Sequence, residues 1–236
     1  MRLCLFEDHL VSAFEPLVLT RPVFELVCGL QSLQSKQVRY FGSALIGKFV
    51  RPDLTDWLRQ STPHEPVNDP RWLKAGPVVL VNGRWLPPDG PPPSLDEPRV
   101  ALADDEVAWA CLTPEWLRSF RVEDLEEHLA SWRREIPNRV AGGRLLRRPW
   151  DLIAANGEEL IRDFRSWGEP GGGARPLHFA LVGPAGRLRI DLSARIDPMV
   201  VADTTNGPVV IERDAVVTAF SRLEGPCCIG AGSIVR

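Results

Sequence analysis

Residues 211–235 read "IERDAVVTAFSRLEGPCCIGAGSIV", and an aliphatic residue returns at every sixth step: Ile211, Val217, Leu223, Ile229 and Val235. Four positions after each of the first four stands a small side chain: Ala215, Ser221, Cys227 and Ser233. Ile190 and Ile196 keep the same step, with Ala194 and Val200 behind them, and the loop "ADTTNGP" (Ala202–Pro208) breaks the phase once. Ordinary strands alternate with a period of two and sustain no period of six. A six-residue repeat with an aliphatic corner and a small partner predicts a parallel β-helix of hexapeptide coils, three hexads to a triangular turn. It is expected to begin near Ile190, with Ala215, Ser221, Cys227 and Ser233 facing inward. Such a fold needs a cap or further coils at its end. The chain stops in phase at "GAGSIVR", as a C-terminally truncated fragment would.

Upstream the pattern changes. "LCLF" (Leu3–Phe6) reads as a strand, and Val78–Val81 in "GPVVLVNGRWLPP" is an apolar run suited to a strand buried on both faces. "EVAWACL" (Glu106–Leu112) is another strand, and "LHFALVG" (Leu177–Gly183) is read as the next. Between them lie helical signals: "LTDWLRQ", a helix capped by Thr113 with Pro114 at its first position, and a helix with Leu125, Leu129, Trp132 and Ile136 on one face, stopped by Pro137. "RRPWDLIAANGEELIRDFRSW" is helical, with a break before a capping box of Asn156 and Glu159. Gly171–Gly173 mark a flexible hinge or loop. Strands alternating with helices define an α/β domain with a mainly parallel sheet. The division falls at 1–187 for this domain and 188–236 for the coils.

The totals exclude several classes. The chain has 236 residues and a net charge of −3, which gives no electrostatic case for nucleic acid or an anionic membrane. No apolar run approaches the roughly 18 residues of a membrane span. Residues 1–6 are too short for a signal peptide and run into Glu7 and Asp8. Five cysteines, odd in number and without metal spacing, fit a reduced cytoplasm. Adjacent Cys227 and Cys228 would point to opposite faces of a strand. Cys28 and Cys111 read as small buried apolar residues. His9, His64, His128 and His178 form no triad or metal set.

"LTRPVFEL" (Leu19–Leu26) carries the first functional question. Pro22 suits the first turn of a helix, and Val23, Leu26, Val27, Leu30 and Leu33 follow at helical spacing. Arg21 would then stand at a helix N-terminus, where N–H groups and partial positive charge already favour an anion. Two readings stay open: a phosphate ligand, or a surface arginine paired with Glu15 or Glu25.

Six pieces, in order, carry a resemblance: "LFED", "PLVLTRPVFEL", "NGRWLP", "PWDLIAAN", "RDF" and "GPVVI". Together they resemble the GlmU-like sugar nucleotidyltransferases, in which a nucleotidyltransferase-like (Rossmann-like) α/β domain precedes a left-handed hexapeptide β-helix. The resemblance spans nearly the whole chain. It implies a sugar-1-phosphate nucleotidyltransferase of the UDP-N-acetylglucosamine diphosphorylase type. It also implies a glucosamine-1-phosphate N-acetyltransferase-like function, with acetyl-CoA, in a longer chain, and a homotrimer through the complete β-helix. Two departures stand out. The glycine-rich loop and lysine that hold nucleotide phosphates are replaced by "EDHLVSAFE" and Val23, and the Mg²⁺-binding aspartate by Arg84. An arginine cannot ligate Mg²⁺, but it can neutralise phosphate charge.

On this footing Arg21 and Arg84 are the candidate catalytic residues. Asp8, Asn82 and Gly83 are the candidate substrate-binding ones; Mg²⁺ stays open as a cofactor although its usual aspartate is absent, and no metal ligand is assigned. Nucleoside triphosphate or sugar nucleotide and sugar 1-phosphate are the expected partners. Each residue has a structural rival: Asp8 as a cap after the first strand, Asn82–Gly83 as a turn, Trp150 as core, Asp151 as a helix-start residue. The alternative function is a non-catalytic domain that binds a sugar nucleotide or only holds the β-helix assembly.

Overall fold

A computed structural model describes residues 2–167 and 179–236. The order is β1 (Arg2–Phe6), 3₁₀ turns at His9–Phe14 and Val23–Glu25, β2 (Val27–Cys28), β3 (Gln31–Ser32), α1 (Leu33–Phe41), β4 (Leu45–Phe49), α2 (Pro52–Ser61) and α3 (Pro70–Lys74). Then come β5 (Val78–Asn82), β6 (Trp85–Leu86), β7 (Arg99–Ala103), β8 (Glu106–Leu112), α4 (Leu125–Glu135), β9 (Asn138–Val140), β10 (Arg144–Leu145) and α5 (Pro149–Ser166). Residues 179–236 carry strands and one 3₁₀ turn at Ala185–Arg187: β11 (Phe179–Val182), β12 (Leu188–Ile190), β13 (Arg195–Ile196), β14 (Val200–Asp203), β15 (Val209–Ile211), β16 (Val216–Val217), β17 (Arg222–Glu224), β18 (Cys227–Ile229) and β19 (Ile234–Val235). The chain forms two compact units, Met1–Val27 with Gln31–Leu152, and Cys28–Leu30 with Ile153–Arg236.

In the first unit six strands align as β4-β1-β5-β8-β7-β9. β4, β1, β5, β7 and β9 run one way and β8 runs against them. The mainly parallel sheet expected of the sequence is present. Every residue of β5 is buried because both faces are covered. Val79 and Val81 pack with Phe24, Phe41, Leu58 and Trp109, while Val78 and Leu80 pack with Leu73, Phe120 and Leu129. The helical face read at Leu125, Leu129, Trp132 and Ile136 is buried as expected. Cys28 and Cys111 are buried too.

Three helix expectations need correction. No helix starts at Pro22. Leu26 and Cys28 are buried and Val27 is exposed, which is strand alternation, and Gly29 at φ +77° turns the chain. Thr113 and Pro114 open only isolated turns, because Leu117 and Phe120 are too few apolar residues to seat a helix. α5 runs without the break placed before Asn156. Asn156 instead accepts a hydrogen bond from Gly29 N at 2.8 Å. A side chain at Gly29 would meet Asp163 and the Glu159 backbone at 2.7 Å, so only glycine fits there. Trp150, expected in the core, is 59% exposed, with the Arg148 guanidinium over its ring. Asp151 is a helix-start residue as read, accepting from the backbone N–H of Arg147 and Arg148.

The later strands form three parallel sheets, β11-β14-β17, β12-β15-β18 and β13-β16-β19. The chain visits the three in strict rotation. Leu188 pairs with Val209 and Val209 with Cys227, steps of 21 and then 18 residues. The longer step carries three extra residues at one corner: Thr204–Pro208 stand where the next coil has only Gly225 and Pro226. That is the phase break visible in the sequence. Ile190, Ile196, Ile211, Val217, Leu223, Ile229 and Val235 share one core with Ala194, Ala215 and Cys227. Ala215 is fully buried as expected and Ser221 half-buried; Ser233 is exposed, while the register that pairs Val216 with Ile234 stacks it on Ala215. "LHFALVG" was assigned to the α/β sheet, but β11 pairs with β14. The rotation is therefore already under way at Phe179, ahead of Ile190. Gly171–Gly173, read as a hinge or loop, lie outside the described residues.

Candidate active site

β1, β4 and β5 are in register at their carboxyl ends, where Phe6 lies opposite both Phe49 and Asn82. The residues that follow each strand therefore meet at one end of the sheet: Glu7 and Asp8, Val50 and Arg51, Gly83 and Arg84. Open α/β sheets bind ligands at such ends.

Asp8, Asn82, Gly83 and Arg84 are brought together by this register. Arg84 is wholly buried. Its Nε donates to Asp8 Oδ1 at 2.8 Å and its Nη2 to Asp8 Oδ2 at 2.5 Å, a two-pronged carboxylate contact. Nη2 also donates to Glu106 Oε2 at 2.7 Å, and Nη1 donates to the Leu146 carbonyl at 2.7 Å. Burial works to lower the Arg84 pKa, but the hydrogen bonds and charges of Asp8 and Glu106 outweigh it and hold the pKa above its ordinary value. Asn82, also buried, donates through Nδ2 to Asp8 Oδ2 at 2.7 Å and accepts Arg84 N at 3.0 Å. Asp8 caps the 3₁₀ turn as well, accepting Leu10 N at 3.2 Å. No face of Arg84 is open to a ligand in this arrangement.

The turn that carries Asn82 and Arg84 is fixed from two sides. Gln37, buried on α1, donates through Nε2 to the carbonyls of Asn82 at 3.0 Å and Trp85 at 2.7 Å. Gly83 packs so closely that a side chain there would stand 2.9 Å from Phe24 and 3.0 Å from Val23.

Arg21 is not part of this network. It is exposed, and only a three-residue 3₁₀ turn, Val23–Glu25, begins beside it rather than an α-helix. Its carbonyl accepts from Arg51 Nη2 at 3.3 Å. Its charge acts on Glu25, whose carboxyl burial raises and Lys48 and Arg21 lower, with the net effect upward. Of the two readings left open for Arg21, the surface placement near Glu25 is the one this conformation has.

The loop that replaces the glycine-rich stretch offers no ring of open N–H groups. Val23 N donates to Glu7 Oε1 at 2.9 Å, Leu10 N to Asp8, and His9 N to Glu126 Oε1 at 2.8 Å. Protein carboxylates hold these amides. Mg²⁺ does not fit the residues present either. The position the resemblance gives to its aspartate is Arg84, and the adjacent carboxylates Asp8 and Glu106 are bound by that guanidinium. Among the described residues no three His, Cys, Asp or Glu side chains converge as a metal site.

Beside this network a groove of about 880 Å³ opens at the ends of β1 and β4, lined among others by Glu7, Asp8, Arg51, Thr55 and Asn68. Arg51 pairs with Glu7 at 2.8 Å. Burial raises the Glu7 carboxyl above its ordinary range, only partly offset by the Val23 N–H and Arg51. The sequence reading missed Glu7, Arg51, Glu106 and Gln37. A signal for Arg51 existed: "FVRP" is an apolar strand end followed by Arg-Pro, and Pro52 does open a helix.

A three-layered α/β unit with a groove at the carboxyl ends of parallel strands is a nucleotide-binding class of architecture. A family model described as sugar nucleotidyl transferase matches residues 3–169, and the chain belongs to that family. No curated protein matches the chain.

Proposed function

We propose that the first unit transfers a nucleotidyl group to a sugar 1-phosphate, in the manner of a UDP-N-acetylglucosamine diphosphorylase. The supporting observation is the groove of about 880 Å³ at the ends of β1 and β4, within the family-matched residues. Its size suits a nucleotide sugar. Nucleotidyl transfer asks for in-line positioning and positive charge about the transferred phosphate rather than covalent work by the protein. In this reading Arg21 supplies charge from the exposed segment that Arg51 holds. Arg84 acts from beneath, fixing Asp8 at the groove as the seat of the substrate, with the buried Asn82–Gly83 turn behind it. No step is assigned to Mg²⁺.

Residues 179–236 of the second unit, in the same reading, are coils of a left-handed parallel β-helix. The strict rotation of strands through three parallel sheets supports it. Acetyl-CoA-dependent acyl transfer and a homotrimer belong to a complete helix.

The test pairs nucleoside triphosphates with sugar 1-phosphates and follows pyrophosphate release, beside calorimetry with sugar nucleotides. One productive pairing is expected. The absence of both binding and turnover with every pairing overturns the proposal. Binding without turnover selects the second reading, a non-catalytic sugar-nucleotide domain. That reading is favoured by the carboxylate-capped loop amides and the sealed Arg84.

A further inference from the structure

The segment Glu15–Pro22 crosses the rim of the groove as a strap. Six of the seven residues 15–21 are exposed, and Val18 is the exception. Within the strap and the preceding turn the backbone bonds are short-range: Leu17 N to the Phe14 carbonyl at 2.9 Å and Leu19 N to the Pro16 carbonyl at 3.3 Å. Its hold on the sheet comes from the buried Val18, from Pro22, buried at its far end, and from one guanidinium. Arg51 Nη2 donates to the carbonyls of both Val18 and Arg21, near the middle and the far end of the strap. Nη1 of the same group donates to Glu7 Oε1 at 2.8 Å, and Glu7 also takes Val23 N just past the strap. The Glu7 side chain is 3% exposed and that of Arg51 27%, so the pair is anchored on its inner side and reachable from the groove that Arg51 lines.

We propose that the Glu7–Arg51 pair is a latch for the strap Glu15–Pro22, and that a ligand's phosphate opens it by taking the Arg51 guanidinium. A guanidinium matches phosphate oxygens in the same two-pronged geometry it offers a carboxylate. Turned toward a phosphate in the groove, it leaves the Val18 and Arg21 carbonyls without their donor. The strap then keeps only the buried Val18 and Pro22, and Arg21 between them is released to turn toward the phosphate. Arg51 is thus a positioning residue for the strap and the point at which ligand charge acts on it. The ligand half of this inference rests on the nucleotidyl-transfer reading; the latch half does not.

Hydrogen–deuterium exchange on the full chain, followed in peptides covering 15–23, tests both halves. Arg51→Gln is expected to speed exchange there by about tenfold, the order of one lost charge-assisted hydrogen bond, while peptides from 179–236 stay unchanged. Glu7→Gln, which keeps an acceptor for Val23 N, is expected to do the same to a smaller degree and guards against misfolding of the first variant. Strap exchange in both variants equal to the parent's overturns the latch. Pyrophosphate is then added as the probe. It is expected to speed strap exchange in the parent and to add nothing in Arg51→Gln. No change in the parent, or an equal change in both proteins, overturns the phosphate trigger. Loss of all sugar-nucleotide binding by calorimetry, with the Arg51→Gln effect intact, instead marks failure of the functional reading alone.

Discussion

At the scale of single residues, charge burial governs this site. Arg84 shares its guanidinium between Asp8 and Glu106, and removing it strands the buried Asp8 carboxylate without a cation, while Glu106 keeps Arg147 at 3.0 Å. Arg84→Ala is expected to destabilise the first unit by about 3–5 kcal/mol, read as a lower urea midpoint; an unchanged midpoint would return Arg84 to a purely ligand-binding role. Glu7 gives the opposite lesson. Burial lifts its folded pKa above the unfolded value, so the folded state holds the proton more tightly. Its contribution is complete below the ordinary Glu value and is lost as pH rises through the raised one. Thermal stability is therefore expected to fall across that window, and Glu7→Gln should flatten the fall. An equal slope in the variant refutes the assignment. Neither role shows in local sequence, because Asp8 and Arg84 stand 76 positions apart and Glu7 and Arg51 stand 44 apart.

At the scale of elements, Cys227 and Cys228 separate the two sides of a strand. Cys227 pairs with the fully buried Val209 and packs into the interior of the rotating stack. Cys228 pairs with Val210, on the opposite side, and its thiol is pushed up to about 11 by burial and by the nearby Glu212. Cys227→Phe is expected to overpack the coil and cost about 1–3 kcal/mol; Cys228→Phe should cost less. Differential scanning calorimetry compares the two, and equal losses would contradict the inward assignment. Element identity was legible where burial repeats locally, as in Val78–Val81, Glu106–Leu112 and the apolar face of α4. The helix expected at Pro22 failed although the same Arg-Pro pattern holds at Arg51–Pro52. After Pro22 the chain is drawn away by the Glu7 contact to Val23 N and by the turn at Gly29, while after Pro52 Leu54 and Leu58 find a core to cover.

At the scale of the whole molecule, Arg84 is a fixed internal cation at the position the resemblance gives to a metal-binding carboxylate. Sugar-nucleotide affinity is therefore expected to differ by less than about threefold between Mg²⁺ and a chelator, under 1 kcal/mol; a tenfold gain with Mg²⁺ in calorimetry would show a metal site this arrangement does not provide. The described residues contain no helix long and apolar enough to cross a membrane. What the sequence by itself determined is what repeats within a few residues. The six-residue phase and its single interruption, the doubly buried strand and the amphipathic helix belong here, because each is a local alternation between water and core. The tertiary structure decided which charges meet. Parallel strands in register deliver residues from distant segments to one end of a sheet, and only there do Asp8, Asn82 and Arg84 close on one another while Arg51 reaches across to the strap.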